Sequence, residues 1–189
     1  GGAAYAVRTR PAADGPAADV AAPAQDAPEP VIGVDPLCVE VGYALVGLVD
    51  EKQGGTLLTR VRTIRRQIAS ETGIVVPPVR IADNLQLGPR GYSLLLKGVE
   101  VARGELYADR YLAINPGTAS KPLEGVPTKE PAFGLPATWV GADQRDAAAA
   151  LGYTVVDATT ALSTHLSEVI RNFLPDLLSR QQVKEMLDA

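Results

Sequence analysis

A single cysteine, a single histidine and a single methionine stand among 189 residues, and aromatic side chains make up only 5%. One cysteine excludes an internal disulfide, and with one histidine beside it no set of soft ligands exists from which a zinc or iron–sulfur site could be assembled. Positive charge is also short. Lys and Arg number 18 against 22 Asp and Glu, a formal net charge of −4, so the overall positive field that nucleic-acid binding needs is missing. No apolar run approaches the roughly 18 residues that would mark a membrane span, and the chain reads as soluble. What is present is 46% apolar residues, mostly aliphatic, enough for one or two small domains. Composition names no function.

Residues 1–30 hold eleven Ala, five Pro and three Gly, and their large apolar side chains are Tyr5, Val7 and Val20. Such a segment cannot bury a core, and without an apolar h-region it reads as a flexible tether and not a signal peptide. Order is expected from about Val31. From Leu37 to Tyr43 alternation predicts a strand with one wet face, and Cys38 is expected to be structural. Thr56 is placed to cap a helix in which Leu57, Val61, Ile64 and Ile68 recur at helical spacing, and Gly73 closes it. Val79-Arg80-Ile81 is expected as a short strand, and Tyr92–Lys97 with Val99–Leu106 as a hairpin about Gly98. Prolines and glycines make residues 115–138 loop-like. After Trp139-Val140, Asp143 is expected to cap an alanine-rich helix stopped by Gly152, and Thr154-Val155-Val156 to form a buried strand. A strongly amphipathic helix runs from Thr159 through Leu162, Leu166, Val169, Ile170 and Phe173, to be ended or kinked by Pro175. A further helix is expected over Asp176–Leu187.

Candidate chemistry is thin. Ser163, His165 and Asp157 are near in sequence, yet Ser163 and His165 lie two apart on a helix and project to different sides, so His165 is expected to be structural. Gly54-Gly55-Thr56 lacks the ending of a phosphate-binding loop and reads as a capped helix start. Arg62, Arg65 and Arg66 form a solvated or partner-facing patch with no interleaved aromatics. In Glu130-Pro131-Ala132-Phe133-Gly134-Leu135-Pro136 the ring of Phe133 sits between stiff residues. That ring either packs internally or marks an interface. Nothing pairs as a catalytic constellation, and neither an enzyme nor a cofactor is expected.

The blocks Glu40-Val41-Gly42-Tyr43, Leu48-Val49-Asp50, Gln53-Gly54-Gly55, Ile64-Arg65-Arg66-Gln67, Val76-Pro77-Pro78-Val79-Arg80-Ile81 and Asp83-Asn84 occur in this order. They are followed by Lys97-Gly98-Val99-Glu100-Val101, Leu112-Ala113-Ile114-Asn115-Pro116-Gly117, Glu130 to Pro136, Gly152 to Asp157, Ser163-Thr164-His165-Leu166 and Arg180-Gln181. As a set they resemble the cytoplasmic region of the FlhA/LcrD/InvA family of type III export-gate proteins. Glu130 stands where some members carry Asp, Ala82 replaces an Arg, and Pro175 interrupts a helix that usually reads through.

The resemblance implies an α+β fold in subdomains. Residues 1–30 would be the linker, 31–108 and 158–177 a first mixed subdomain, 109–157 a second subdomain inserted into it, and 178–189 the start of a helical third. It implies a non-enzymatic docking module at the cytoplasmic face of the bacterial inner membrane. The partners would be flagellar export chaperones carrying late substrates and other export-apparatus proteins, with neither nucleic acid nor membrane contacted by this fragment. The intact protein would form a nonameric ring, and the fragment a monomer. The docking residues would be Glu130, Phe133, Val155, Val156 and Thr164. A virulence-type secretion gate and a purely structural ring segment are the alternative readings.

Overall fold

The computed structural model describes residues 35–177, and the expectations for a tether over 1–30 and a third subdomain from 178 lie outside them. The architecture is mixed α+β, with two four-stranded sheets and helices packed between and beside them. Strand β1 (Leu37–Val41) lies inside the first sheet, parallel to β2 (Val79–Asp83) and antiparallel to β3 (Gly91–Leu96). Its expected wet face is only partly wet: Cys38 is buried, and Glu40 is half-buried and accepts from the Asn84 side-chain amide at 2.9 Å. A one-turn helix α1 (Val46–Val49) and a 3-10 turn capped by Asp50 follow, the Asp50 carboxylate accepting from the Lys52 amide at 2.9 Å. Gly55 then passes so close to α1 that a Cβ there would lie 2.5 Å from the Leu48 carbonyl oxygen.

Helix α2 (Leu57–Thr72) buries Leu57, Val61 and Ile68, as its spacing predicts, and ends at Gly73 in the left-handed region, φ 77°. Thr56 occupies the N-cap position but makes no capping bond with its hydroxyl, a correction to the sequence reading. The chain crosses over to β2 (Val79–Asp83), then forms the hairpin β3 (Gly91–Leu96) and β4 (Val99–Glu105), giving the sheet order β2-β1-β3-β4.

The stretch read as loop contains sheet. Strand β5 (Tyr111–Ile114) precedes it, β6 (Val126–Lys129) lies inside it, and β7 (Pro136–Val140) begins in it, so with β8 (Thr154–Asp157) the second sheet runs β6-β7-β5-β8. Prolines hid these strands without preventing them. Pro127 sits on β6, an edge strand, and Pro136 is the first residue of β7, the two places where a missing N–H breaks no ladder. Helix α3 (Arg145–Ala150) is preceded by a 3-10 turn that contains Asp143, so Asp143 is not its cap. Strand β8 (Thr154–Asp157), expected to be buried, is an edge strand and only half-buried.

Asp157 then caps helix α4 (Ala158–Asn172), its carboxylate accepting from the Thr160 amide at 2.8 Å. Leu162, Leu166 and Ile170 on α4 belong to one continuous core with Leu37, Val39 and Leu94 of the first sheet and Leu112 and Trp139 of the second. A smaller cluster of Ala113, Val140 and Ala148 lies under α3. The break foreseen at Pro175 falls at Phe173; Pro175 itself sits in the first turn of α5 (Leu174–Leu177), where a proline costs no helical hydrogen bond.

Candidate docking site

The turn between β6 and β7 runs from Glu130 to Leu135 and is closed by its own backbone. The Glu130 amide donates to the Leu135 carbonyl at 2.7 Å, and the Gly134 amide donates to the Glu130 carbonyl at 2.8 Å. Gly134 has φ 75°, which a side chain would resist. Inside the loop so formed, the Glu130 carboxylate folds back and accepts from the amides of Ala132 at 2.8 Å and Phe133 at 2.6 Å. With the donors turned inward, the Phe133 side chain points out and is 62% exposed, with Leu135 beside it at 40%. Leu135 was not singled out from the sequence, although an apolar residue two positions from Phe133 across a glycine was a usable signal.

A buried polar pair links α4 to the first sheet. The Tyr92 hydroxyl on β3 and His165 Nδ1 on α4 are 2.7 Å apart, with the rings edge to face at 79°. Tyr92 fills space left by Gly104 on the neighbouring strand, where a Cβ would lie 2.5 Å from the tyrosine hydroxyl. Burial pushes the Tyr92 hydroxyl pKa up, and the negative charge of Glu130 adds to the effect. Burial pushes the His165 pKa down, and the same charge opposes it. Thr164 is exposed, flanked by buried Ser163 and His165.

The five residues implied by the family resemblance differ in exposure: Phe133 and Thr164 are exposed, Val155 and Val156 half-buried, and Glu130 buried. Phe133 and Thr164 reach solvent, but Glu130 is 3% exposed and its oxygens are occupied by the turn. Val155 and Val156 face opposite sides of the second sheet, as neighbours on a strand must. Val155 packs with the Ala113 cluster under α3 and Val156 with the main core, and each remains half-buried on this edge strand.

Other candidates from the sequence resolve into structural roles. Ser163 donates to the Thr160 carbonyl, His165 bonds Tyr92 and Asp157 caps α4, so the three are committed to separate partners. No cluster of three or more His, Cys, Asp or Glu suited to a metal is present among the described residues. Arg62, Arg65 and Arg66 border a shallow cavity with Val75 and Val76, where Arg65 donates through both Nε and Nη2 to the Val76 carbonyl.

The FHIPEP family model matches residues 3–189. The flagellar biosynthesis protein FlhA of Bacillus subtilis (strain 168) is 48% identical over 158 residues, which is 84% of this chain and 23% of that protein. The chain thus spans about a quarter of that relative's length. Among solved structures, the CdsV protein of Chlamydia pneumoniae aligns with a TM-score of 0.65 at 20% identity, over 81% of this chain and 46% of that one. The nonameric EPEC SctV-C assembly aligns with a TM-score of 0.55 at 15% identity, over 82% of this chain and 45% of that one. At these identities the structural likeness is one of fold. The family match over almost the whole chain, together with this level of identity to FlhA, places the chain in the FHIPEP family.

Proposed function

We propose that this chain is part of the cytoplasmic region of a flagellar type III export gate and docks export chaperones carrying late substrates at the surface around Phe133 and Thr164. The action is binding without catalysis, on the cytoplasmic side of the bacterial inner membrane. In the intact protein the unit would sit in a ring, a reading supported by the nonameric assembly of SctV-C. Residues 109–157, which include the whole second sheet, would act as a subdomain inserted between the first sheet and α4.

The observation that carries the reading is the exposure of Phe133 on a turn that fixes its backbone. An aromatic side chain held out at a set position loses little further entropy on binding and can fill a pocket in a partner. Phe133→Ala is expected to weaken affinity for a purified flagellar chaperone–substrate complex by about 2 kcal/mol, roughly thirtyfold, with little change in melting temperature. Thr164→Trp should block docking by overfilling the same surface. Calorimetric titration beside melting curves reads both; unchanged affinity in two folded variants overturns the proposal.

A further inference from the structure

Glu130 is the one buried carboxylate among the described residues. No ion pair involving it is present among those residues. A carboxylate removed from water without a cation beside it is expensive unless donors satisfy it. Here the donors are main-chain amides, one on each oxygen, from Ala132 at 2.8 Å and Phe133 at 2.6 Å. Charge-assisted bonds of this kind are short and strong. One of them grips the amide of the very residue whose ring is turned out to solvent.

Two further constraints act on the same few atoms. The backbone of Glu130 pairs with Leu135 and Gly134, so both ends of the side chain's own residue are fixed before the carboxylate closes the loop. Pro131 holds φ near −65° at the next position and donates no competing N–H. The turn is therefore clamped from its start and its centre, and the freedom left to Phe133 is that of its side chain. Neutralising the carboxylate would break the clamp at its centre while leaving the hairpin ladder of β6 and β7 in place.

We propose that Glu130 is the positioning residue of this site: its buried carboxylate, bonded to the amides of Ala132 and Phe133, sets where the Phe133 ring stands, and Glu130 itself does not touch the partner. This rests on the reading of Phe133 as the docking side chain. It changes what Glu130 contributes, because a contact residue would lose partner bonds on mutation, whereas a positioning residue loses order in the free protein.

The test is amide hydrogen exchange on the 189-residue chain, with no partner present. In Glu130→Gln the side-chain NH2 can accept no bond, so exchange at Ala132 or Phe133 should quicken about tenfold or more, the scale set by losing a bond to a charged acceptor. Amides of Val39 and Leu94 should keep their wild-type rates. Glu130→Asp, which presents two oxygens to the amides two and three residues on as turn-capping aspartates do, should restore protection. Unchanged rates at both turn amides in Glu130→Gln overturn the proposal, as does loss of protection in Glu130→Asp equal to that in Glu130→Gln. Should Glu130→Gln lose protection throughout the core, Glu130→Asp decides against the wild type: full protection at both turn amides supports the role, and selective loss there overturns it. The docking reading fails separately, if Phe133→Ala leaves chaperone affinity unchanged whatever the exchange rates are.

Discussion

The β3–β4 hairpin turns on two residues, Lys97 and Gly98, both with positive φ, whereas the β6–β7 hairpin turns on six, from Glu130 to Leu135, closed around a carboxylate. In the first, backbone handedness does the work: two left-handed residues match the twist of the strands they join, and the tip is polar. In the second, a side chain supplies what the backbone lacks. A longer loop would ordinarily be mobile, yet its central amides are tied inward and the residue at its crest is aromatic. One turn connects strands and the other presents a ring, and the difference lies in whether a buried acceptor is available.

Substituting the corresponding glycines should separate the two most clearly. Gly98 and Gly134 have φ 82° and 75°, so Ala at either is expected to cost about 1 kcal/mol of stability through left-handed strain. Melting curves should show similar losses, whereas calorimetric titration should show weakened chaperone binding only for Gly134→Ala. Equal effects on binding would erase the distinction.

Acidification should expose the second turn's dependence on its surroundings. His165 has its pKa pushed below the ordinary 6.5 by burial, so the unfolded chain takes up a proton first. Its contribution to stability is therefore full above about pH 6.5 and is lost as the pH falls below that, down to the folded-state pKa. Glu130→Gln, by removing the charge that opposes the shift, should move the folded-state titration of His165 lower still. NMR titration of the imidazole reads this directly, and a histidine titrating at or above its ordinary value would contradict it.

The smallest effect is expected at Lys97. A residue other than glycine at φ 52° is tolerated there, and Lys97→Asn, which suits the left-handed region better, should raise stability by a few tenths of a kcal/mol. Denaturant titration at matched slope measures it, and chaperone affinity should not move.

Helices α2 and α4 were legible because three- and four-residue spacing of Leu57, Val61, Ile64 and Ile68, and of Leu162, Leu166, Val169 and Ile170, survives tertiary context. Strands β6 and β7 were not, since Pro127 and Pro136 erase the pattern that would reveal them, and only their places at a sheet edge and a strand start make them tolerable. The exposure of Thr164 followed from its position between Leu162 and Leu166. The burial of Glu130 did not, because a sequence cannot tell a carboxylate that faces a partner from one that folds under its own turn. That Val155 and Val156 turn to opposite faces of the second sheet was within reach, as adjacent strand residues always face apart.

Helix α4 gives the molecule a shared beam. Its Leu162, Leu166 and Ile170 belong to the same core as residues of both sheets, so no seam of solvent divides the first sheet from the second along this helix. A core shared in this way favours sliding of packed side chains over the helix surface, in small steps between alternative packings, over the swing of a door on a loose joint. Partner-driven motion in this part of the protein would be a gear-like shear, with α4 as its track.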